Sequence, residues 1–260
     1  MAIPPSDQLS AAQLLADSAE RLHGDIYLFQ EVDHFQERSG MIDEIATIAG
    51  QIEGRSAGKK CDSRFAPTLI GTPGEKWRRT TKDEAFISSQ LCSYGIGIIS
   101  EIPIASWHRL DLGKSLIGAP LLIPTPRGPR PIYVRDEPRI AIAAITDSGW
   151  LVINTHLSFV PLVNKYQLRK LKRWARALGK EHGIASERII IGGDLNLPAP
   201  WLVVSMNWRS LMPGKTYPSW KPQLQFDYFL ASKRTVVRSS QIFAHQGVSD
   251  HLAISIDCAD

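Results

Sequence analysis

The stretch Ile189-Ile190-Ile191-Gly192-Gly193-Asp194-Leu195-Asn196-Leu197-Pro198 decides how the chain is read. Its consecutive β-branched isoleucines predict the end of a buried strand, the glycine pair lets the backbone turn without a Cβ clash, and Pro198 stops regular pairing. Asp194 and Asn196 therefore stand where a strand opens into a loop. Residues two apart on an extended segment project to the same side, so a carboxylate and an amide point together at one rim. Such a pair suits a water, a metal or a phosphate oxygen. Taken alone, a turn rich in Gly, Asp and Asn is the plainer reading.

Other strand ends carry similar groups. On the N-terminal side, residues 140–146 and 150–155 are two strand-like runs separated by Asp147-Ser148-Gly149, the spacing of a tight antiparallel hairpin. The second run ends in Asn154-Thr155-His156-Leu157, which delivers His156 to a rim. Residues 25–33 form a mostly apolar run of strand length, the pattern of a strand covered on both faces, with Glu31 near its end. Residues 94–100, with Gly95 and Gly97, predict a strand that another backbone or a ligand approaches closely, and Pro103 ends it. On the C-terminal side, residues 225–231 resume strand character around Asp227, and Ser249-Asp250-His251 precedes an alternating strand. His251 gains a partner if Asp227 lies on the adjacent strand.

Helical periodicity marks three segments. Residues 10–22 place Leu14, Leu15, Ala19 and Leu22 on one face, residues 38–49 form a second helix, and residues 165–180 are amphipathic, with Leu168, Leu171, Ala175 and Leu178 inward. Residues 54–90 are polar and basic, with Phe65 and Trp77 among Lys59, Lys60, Arg64, Lys76, Arg78, Arg79 and Lys82. They read as a solvated loop, although interleaved aromatic and basic residues also suit a phosphate chain and its bases. Residues 127–139 read as a loop rich in Pro and Arg, and residues 216–222 as one punctuated by proline.

A chain of 260 residues, 43% hydrophobic, without repeats or a linker, is expected to be one domain over residues 1–260, and a monomer. Thirty Lys and Arg against 26 Asp and Glu give net +4 and a pI near 9.0, which suits a polyanionic partner without demanding one. Cys61, Cys92 and Cys258 show no CxxC spacing, so neither a disulfide framework nor a thiolate zinc site is expected. No stretch approaches the roughly 18 to 20 apolar residues of a membrane span, and the start lacks a leader pattern. A soluble, cytoplasmic protein is the expectation.

Taken together, Phe29-Gln30-Glu31, Asn154-Thr155-His156-Leu157, Gly193-Asp194-Leu195-Asn196, Phe226-Asp227-Tyr228 and Ser249-Asp250-His251 resemble, in order, the motifs of the endonuclease/exonuclease/phosphatase superfamily, the group of DNase I-like nucleases, inositol polyphosphate phosphatases and neutral sphingomyelinases. The Gly-Asp-x-Asn and Ser-Asp-His pair is the most specific part. The resemblance implies an α/β fold, a four-layer α/β/β/α sandwich of two mixed β-sheets with the active site at one edge. It implies that Glu31 ligates Mg²⁺ or Mn²⁺ and that Asp250 helps hold the metal or its waters. Asp194 would orient and deprotonate the attacking water, and Asn196 would fix it. His251, oriented by Asp227, and His156 would donate to the phosphate oxygens, with His156 also the candidate acid for the leaving group. No substrate-binding residue is singled out.

The match departs from the family at two places. Glu101 stands where an arginine is usual, and residues 1–7, with Pro4-Pro5, do not read as the family's first strand, whose Asn joins the metal site. Either the true start lies upstream or that strand is lost. The expected function is a divalent-metal-dependent phosphodiester hydrolase, first a nuclease. The alternatives are a small-molecule or lipid-headgroup phosphoesterase, or a catalytically impaired binding protein that keeps the fold.

Overall fold

Alternation along β1 (Ile26–His34) sends Ile26 and Leu28 to one face and Tyr27 and Phe29 to the other, and apolar clusters cover both. The computed structural model describes residues 18, 21–55, 58–86, 89–123, 130–198, 208–244 and 249–259. Within them β1 joins β2 (Asp62–Gly71), β3 (Trp77–Arg79) and β4 (Ser93–Ser100) in a sheet of order β1-β4-β2-β3. A second sheet, of order β11-β12-β10-β9-β8-β5, contains β5 (Ile104–Gly113), β8 (Arg139–Thr146), β9 (Leu151–His156), β10 (Ile189–Asp194), β11 (Trp208–Ser210) and β12 (Asp227–Ser232). Strands β9 and β10 run parallel and the other described pairings are antiparallel. Two hairpins stand apart, β6 (Ala119–Ile123) with β7 (Arg130–Val134) and β13 (Val237–Ile242) with β14 (Ile254–Cys258).

Burial of three apolar interfaces organises these elements. Helix α1 (Glu44–Arg55) packs Ile45, Ile48, Ala49 and Ile52 against Tyr27, Val32, Phe65 and Ile99 of the first sheet. Between the sheets, Ala66, Ile96 and Ile98 meet Ile140, Ile142 and Ala144. Helix α2 (Val163–Glu181), the crossover between parallel β9 and β10, lays Leu168, Leu171, Ala175 and Leu178 on the outer face of the second sheet. At about 1.5 to 3 kcal/mol for each fully buried large aliphatic side chain, these layers are the main favourable term in folding. Gly95 lets strands approach: a Cβ there would lie 2.1 Å from the Ala66 carbonyl oxygen, the close backbone passage that the glycines of this segment predict.

Several expectations need correction. The region 54–90 is not a single loop, because β2 and β3 lie within it. Pro67 disguises β2, and the ladder with β4 shifts register between Pro67 and Leu69, where a proline without an N–H is tolerated. The helix expected over 38–49 begins later, since Gly40 and Met41 adopt left-handed φ values of 83° and 56° after a short 3₁₀ turn, Glu37–Ser39. The loop at 127–139 contains β7, and strands β5, β11 and β13 lie in stretches where no strand is expected. The expected helix over 10–22 lies, apart from residues 18, 21 and 22, outside the described residues, as do residues 1–7. Among the described residues no helix is long and apolar enough to cross a membrane. The three cysteines are free.

Candidate active site

Register brings the strand-end residues into one row. Asp194 at the end of β10 pairs with His156 at the end of β9 on one side and with Asp227 at the start of β12 on the other. All three are buried. Just before Asp194 the chain needs Gly193: its φ is +129°, and a Cβ would lie 2.0 Å from the Thr155 carbonyl oxygen. Beyond Asp194 the rim is tied by Leu157 N–H donating to the Asp194 carbonyl and Leu195 N–H to the Phe226 carbonyl, both at 2.9 Å.

The loop turns back on itself through Asn196, whose φ of 48° is one that Asn tolerates. Its N–H donates to Asp194 Oδ1 at 2.7 Å, and its Nδ2 donates to the Leu157 carbonyl at 3.0 Å and lies 3.1 Å from His156 Nε2. An amide nitrogen only donates, so His156 Nε2 accepts and the ring proton is assigned to Nδ1. Burial, with the charges of Arg139 and His251 adding to it, holds His156 well below the ordinary histidine range, so it rests neutral.

His251 has the opposite environment. Its Nδ1 lies 2.8 Å from Asp227 Oδ2, the pairing the sequence anticipates, although the link crosses from the 249–251 segment to β12 and not between paired strands. Burial alone would lower it. The Asp227 hydrogen bond and the charges of Asp194, Asp227 and Asp250 outweigh that and push it up to about 10, so it rests protonated. Asp194 Oδ2 lies 3.5 Å from His156 Nε2 and 3.9 Å from His251 Nε2. Burial raises the Asp194 carboxyl above the ordinary range, the His251 charge opposes this, and Asp227 and Glu31 reinforce it.

Glu31 reaches the same rim from the first sheet. The β1–β4 ladder is irregular between Phe29 and Val32, and Glu31 there has φ 55°, a bulge and a left-handed non-glycine residue that together cost about 1–3 kcal/mol. Tyr217 senses charges from both sheets: burial raises its phenol, and the charges of Asp250, Glu31 and Asp194 raise it further. That ring also lies 4.9 Å from His251. Asn154 fixes the sheets relative to one another, accepting from Gln30 Nε2 at 2.6 Å and donating to the Phe29 and Gly97 carbonyls at 2.8 Å each.

Sequence reasoning named the row and Glu31 but missed Tyr217, the bridging role of Asn154, and Arg139. The one signal available was period two, since Asn154 and His156 share a face. Among the described residues no group of three or more His, Cys, Asp or Glu is placed to hold a metal ion. A Mg²⁺ site needs fewer protein ligands: one or two carboxylates, completed by water and substrate phosphate. Glu31 and Asp250 fit that smaller set, because among the described residues the Glu31 carboxylate makes no hydrogen bond or ion pair, and the Glu31 and Asp250 charges both act on the Tyr217 phenol.

A family model described as the Endonuclease/Exonuclease/phosphatase family matches residues 5–251. Similar solved structures include a mannosyl-6-phosphatase of Bacteroides thetaiotaomicron (TM-score 0.60, 11% identity, 97% of this chain and 92% of that one). An endonuclease/exonuclease/phosphatase family protein from Leptotrichia buccalis has TM-score 0.61 and 15% identity over 98% of this chain and 95% of that one. The human Nocturnin catalytic domain, with a bound sulfate anion, has TM-score 0.56 and 16% identity over 95% and 87%. These likenesses are of fold. No curated protein matches in sequence.

Proposed function

The chain belongs to the endonuclease/exonuclease/phosphatase family, with that family's phosphoesterase fold, and on this premise we propose that it is a divalent-metal-dependent phosphodiester hydrolase acting on nucleic acid. The observation that carries the reading is the Asp194 carboxylate, buried in register between His156 and Asp227, with the imidazoles of His156 and His251 3.5 and 3.9 Å away.

Each residue then has a chemical task. Asp194 takes the proton of the attacking water, and a carboxyl raised toward neutrality is a stronger base than an ordinary one. Asn196 holds the geometry of that water through its bonds to Asp194 and the Leu157 carbonyl. His251, resting protonated on Asp227, gives its hydrogen bond and charge to the phosphoryl oxygens. The proton for the leaving oxygen is assigned to His251 as well, because His156 rests neutral with Nε2 engaged by Asn196. Glu31 and Asp250 would hold Mg²⁺ or Mn²⁺, whose chemistry when bound is to neutralise charge on the phosphoryl group.

The net charge of +4 supports nucleic acid as the substrate. The test is hydrolysis of a DNA oligonucleotide with Mg²⁺ or Mn²⁺ across a salt series, with EDTA as control. A nuclease loses activity steeply with salt as counterion release weakens. Salt-insensitive turnover, with preference for a phosphorylated sugar or lipid headgroup, would replace nucleic acid by those substrates, and activity in excess EDTA would remove the metal role of Glu31.

A further inference from the structure

Arg139 begins β8, beside the strand that ends in His156, and its side chain is only 8% exposed. A buried guanidinium carries five donors and is strongly unfavourable unless they are met. The Arg139 side chain makes no hydrogen bond to any described residue. The nearest carboxylate oxygen, Asp136 Oδ1, forms an ion pair with Nε at 3.7 Å, beyond hydrogen-bond reach, and is itself buried without a hydrogen bond. The other oxygen, Asp136 Oδ2, accepts the Ser115 N–H at 2.6 Å, so this carboxylate meets Arg139 only at Nε.

Of the Arg139 nitrogens only Nε is sealed from solvent without a partner, so the terminal nitrogens keep solvent access. Arg139 acts electrostatically on His156, Tyr94 and Glu137, and Glu31 acts on the last two, which puts the guanidinium in the neighbourhood of the candidate site. Arg38, which acts on Tyr94 too, differs: its Nε and a terminal nitrogen are spent on Asp33 at 2.8 and 2.6 Å. Arg139 is thus a rim arginine with its fork uncommitted.

We infer that Arg139 is an oxyanion-binding residue of this site, its terminal N–H groups taking two oxygens of a phosphoryl group. A planar fork of parallel donors matches that geometry, and an ammonium does not. The inference rests on the reading of the rim as a phosphoester site, and it adds a substrate contact outside the row of strand-end motifs.

The probe is inorganic phosphate, titrated calorimetrically at low salt into the full chain and into Arg139→Met, Arg139→Lys and Asp136→Asn. Arg139→Met is expected to weaken phosphate binding at least tenfold, with a melting temperature below that of the wild type, because the buried Asp136 carboxylate loses its ion-pair partner. Arg139→Lys is expected to recover part of the loss, and Asp136→Asn to retain binding. If Arg139→Met does not fold, a several-fold loss in Arg139→Lys carries the comparison. Equal phosphate affinity in wild type and in the folded Arg139 variants, or no binding by the wild type, overturns the inference. A protein that binds phosphate through Arg139 but hydrolyses no ester leaves the inference standing and removes the hydrolase reading. A hydrolase whose phosphate affinity ignores Arg139 does the reverse.

Discussion

Replacing Asp227 by Asn keeps the shape of the side chain and removes the charge that His251 leans on. The Nδ1···Oδ2 contact of 2.8 Å is the largest of the influences that raise His251, whose pKa is pushed up from 6.5 to about 10. A hydrogen bond to a charged group contributes about 1.5–3 kcal/mol. At 1.36 kcal/mol per pKa unit, the Asp227→Asn variant should titrate His251 about one to two units lower than the wild type. The sign for stability follows from a raised histidine: its contribution is fully present below 6.5 and is lost as pH rises through about 10. The variant should therefore lose about 1.5–3 kcal/mol against urea near pH 6, with the difference shrinking towards pH 10. The assay is an NMR titration of the His251 ring beside urea unfolding at the two pH values. An unchanged His251 titration in a folded variant would refute the claim that Asp227 holds this imidazole protonated.

Asn154→Leu removes three hydrogen bonds that span the two sheets and should cost about 3 kcal/mol or more, read as a fall in the urea midpoint; a midpoint within error of the wild type contradicts the bridging role. His156, held well below 6.5 by burial, should make the protein acid-sensitive: as pH falls below 6.5 the unfolded chain takes up a proton that the folded one refuses. The stability difference between wild type and His156→Gln should then change by about 1.4 kcal/mol per pH unit in that range, and a flat difference speaks against a buried neutral imidazole.

Legibility followed physical locality. The strands at 140–146, 150–155 and 189–194 were readable because β-branched and small apolar residues run unbroken there, which is what a sheet covered on both faces requires. Their polar ends exposed His156 and Asp194 as candidates, and Asp227 stood near the start of the run at 225–231, but that these fall in one register row is a property of strand pairing, not of any segment alone. Asn154 and Phe29 are 125 residues apart, so nothing local announces that one amide joins both sheets. Pro67 hid β2 because its tolerance depends on a register shift against β4, and the left-handed Glu31 depends on another such shift in β1. Arg139 sat at the end of a stretch read as loop, and its uncommitted guanidinium is a feature of packing.

The most direct measurement is hydrolysis of bis-p-nitrophenyl phosphate with Mg²⁺ or Mn²⁺ by the wild type and by Asp194→Asn, each shown folded. Asn keeps the volume and the Oδ1 acceptor for the Asn196 N–H but cannot take a proton from water. The account predicts wild-type turnover and a loss of about 10²-fold or more in the variant, the usual range for a positioned general base. Turnover within a few-fold in the two proteins, or none from a folded wild type, contradicts it.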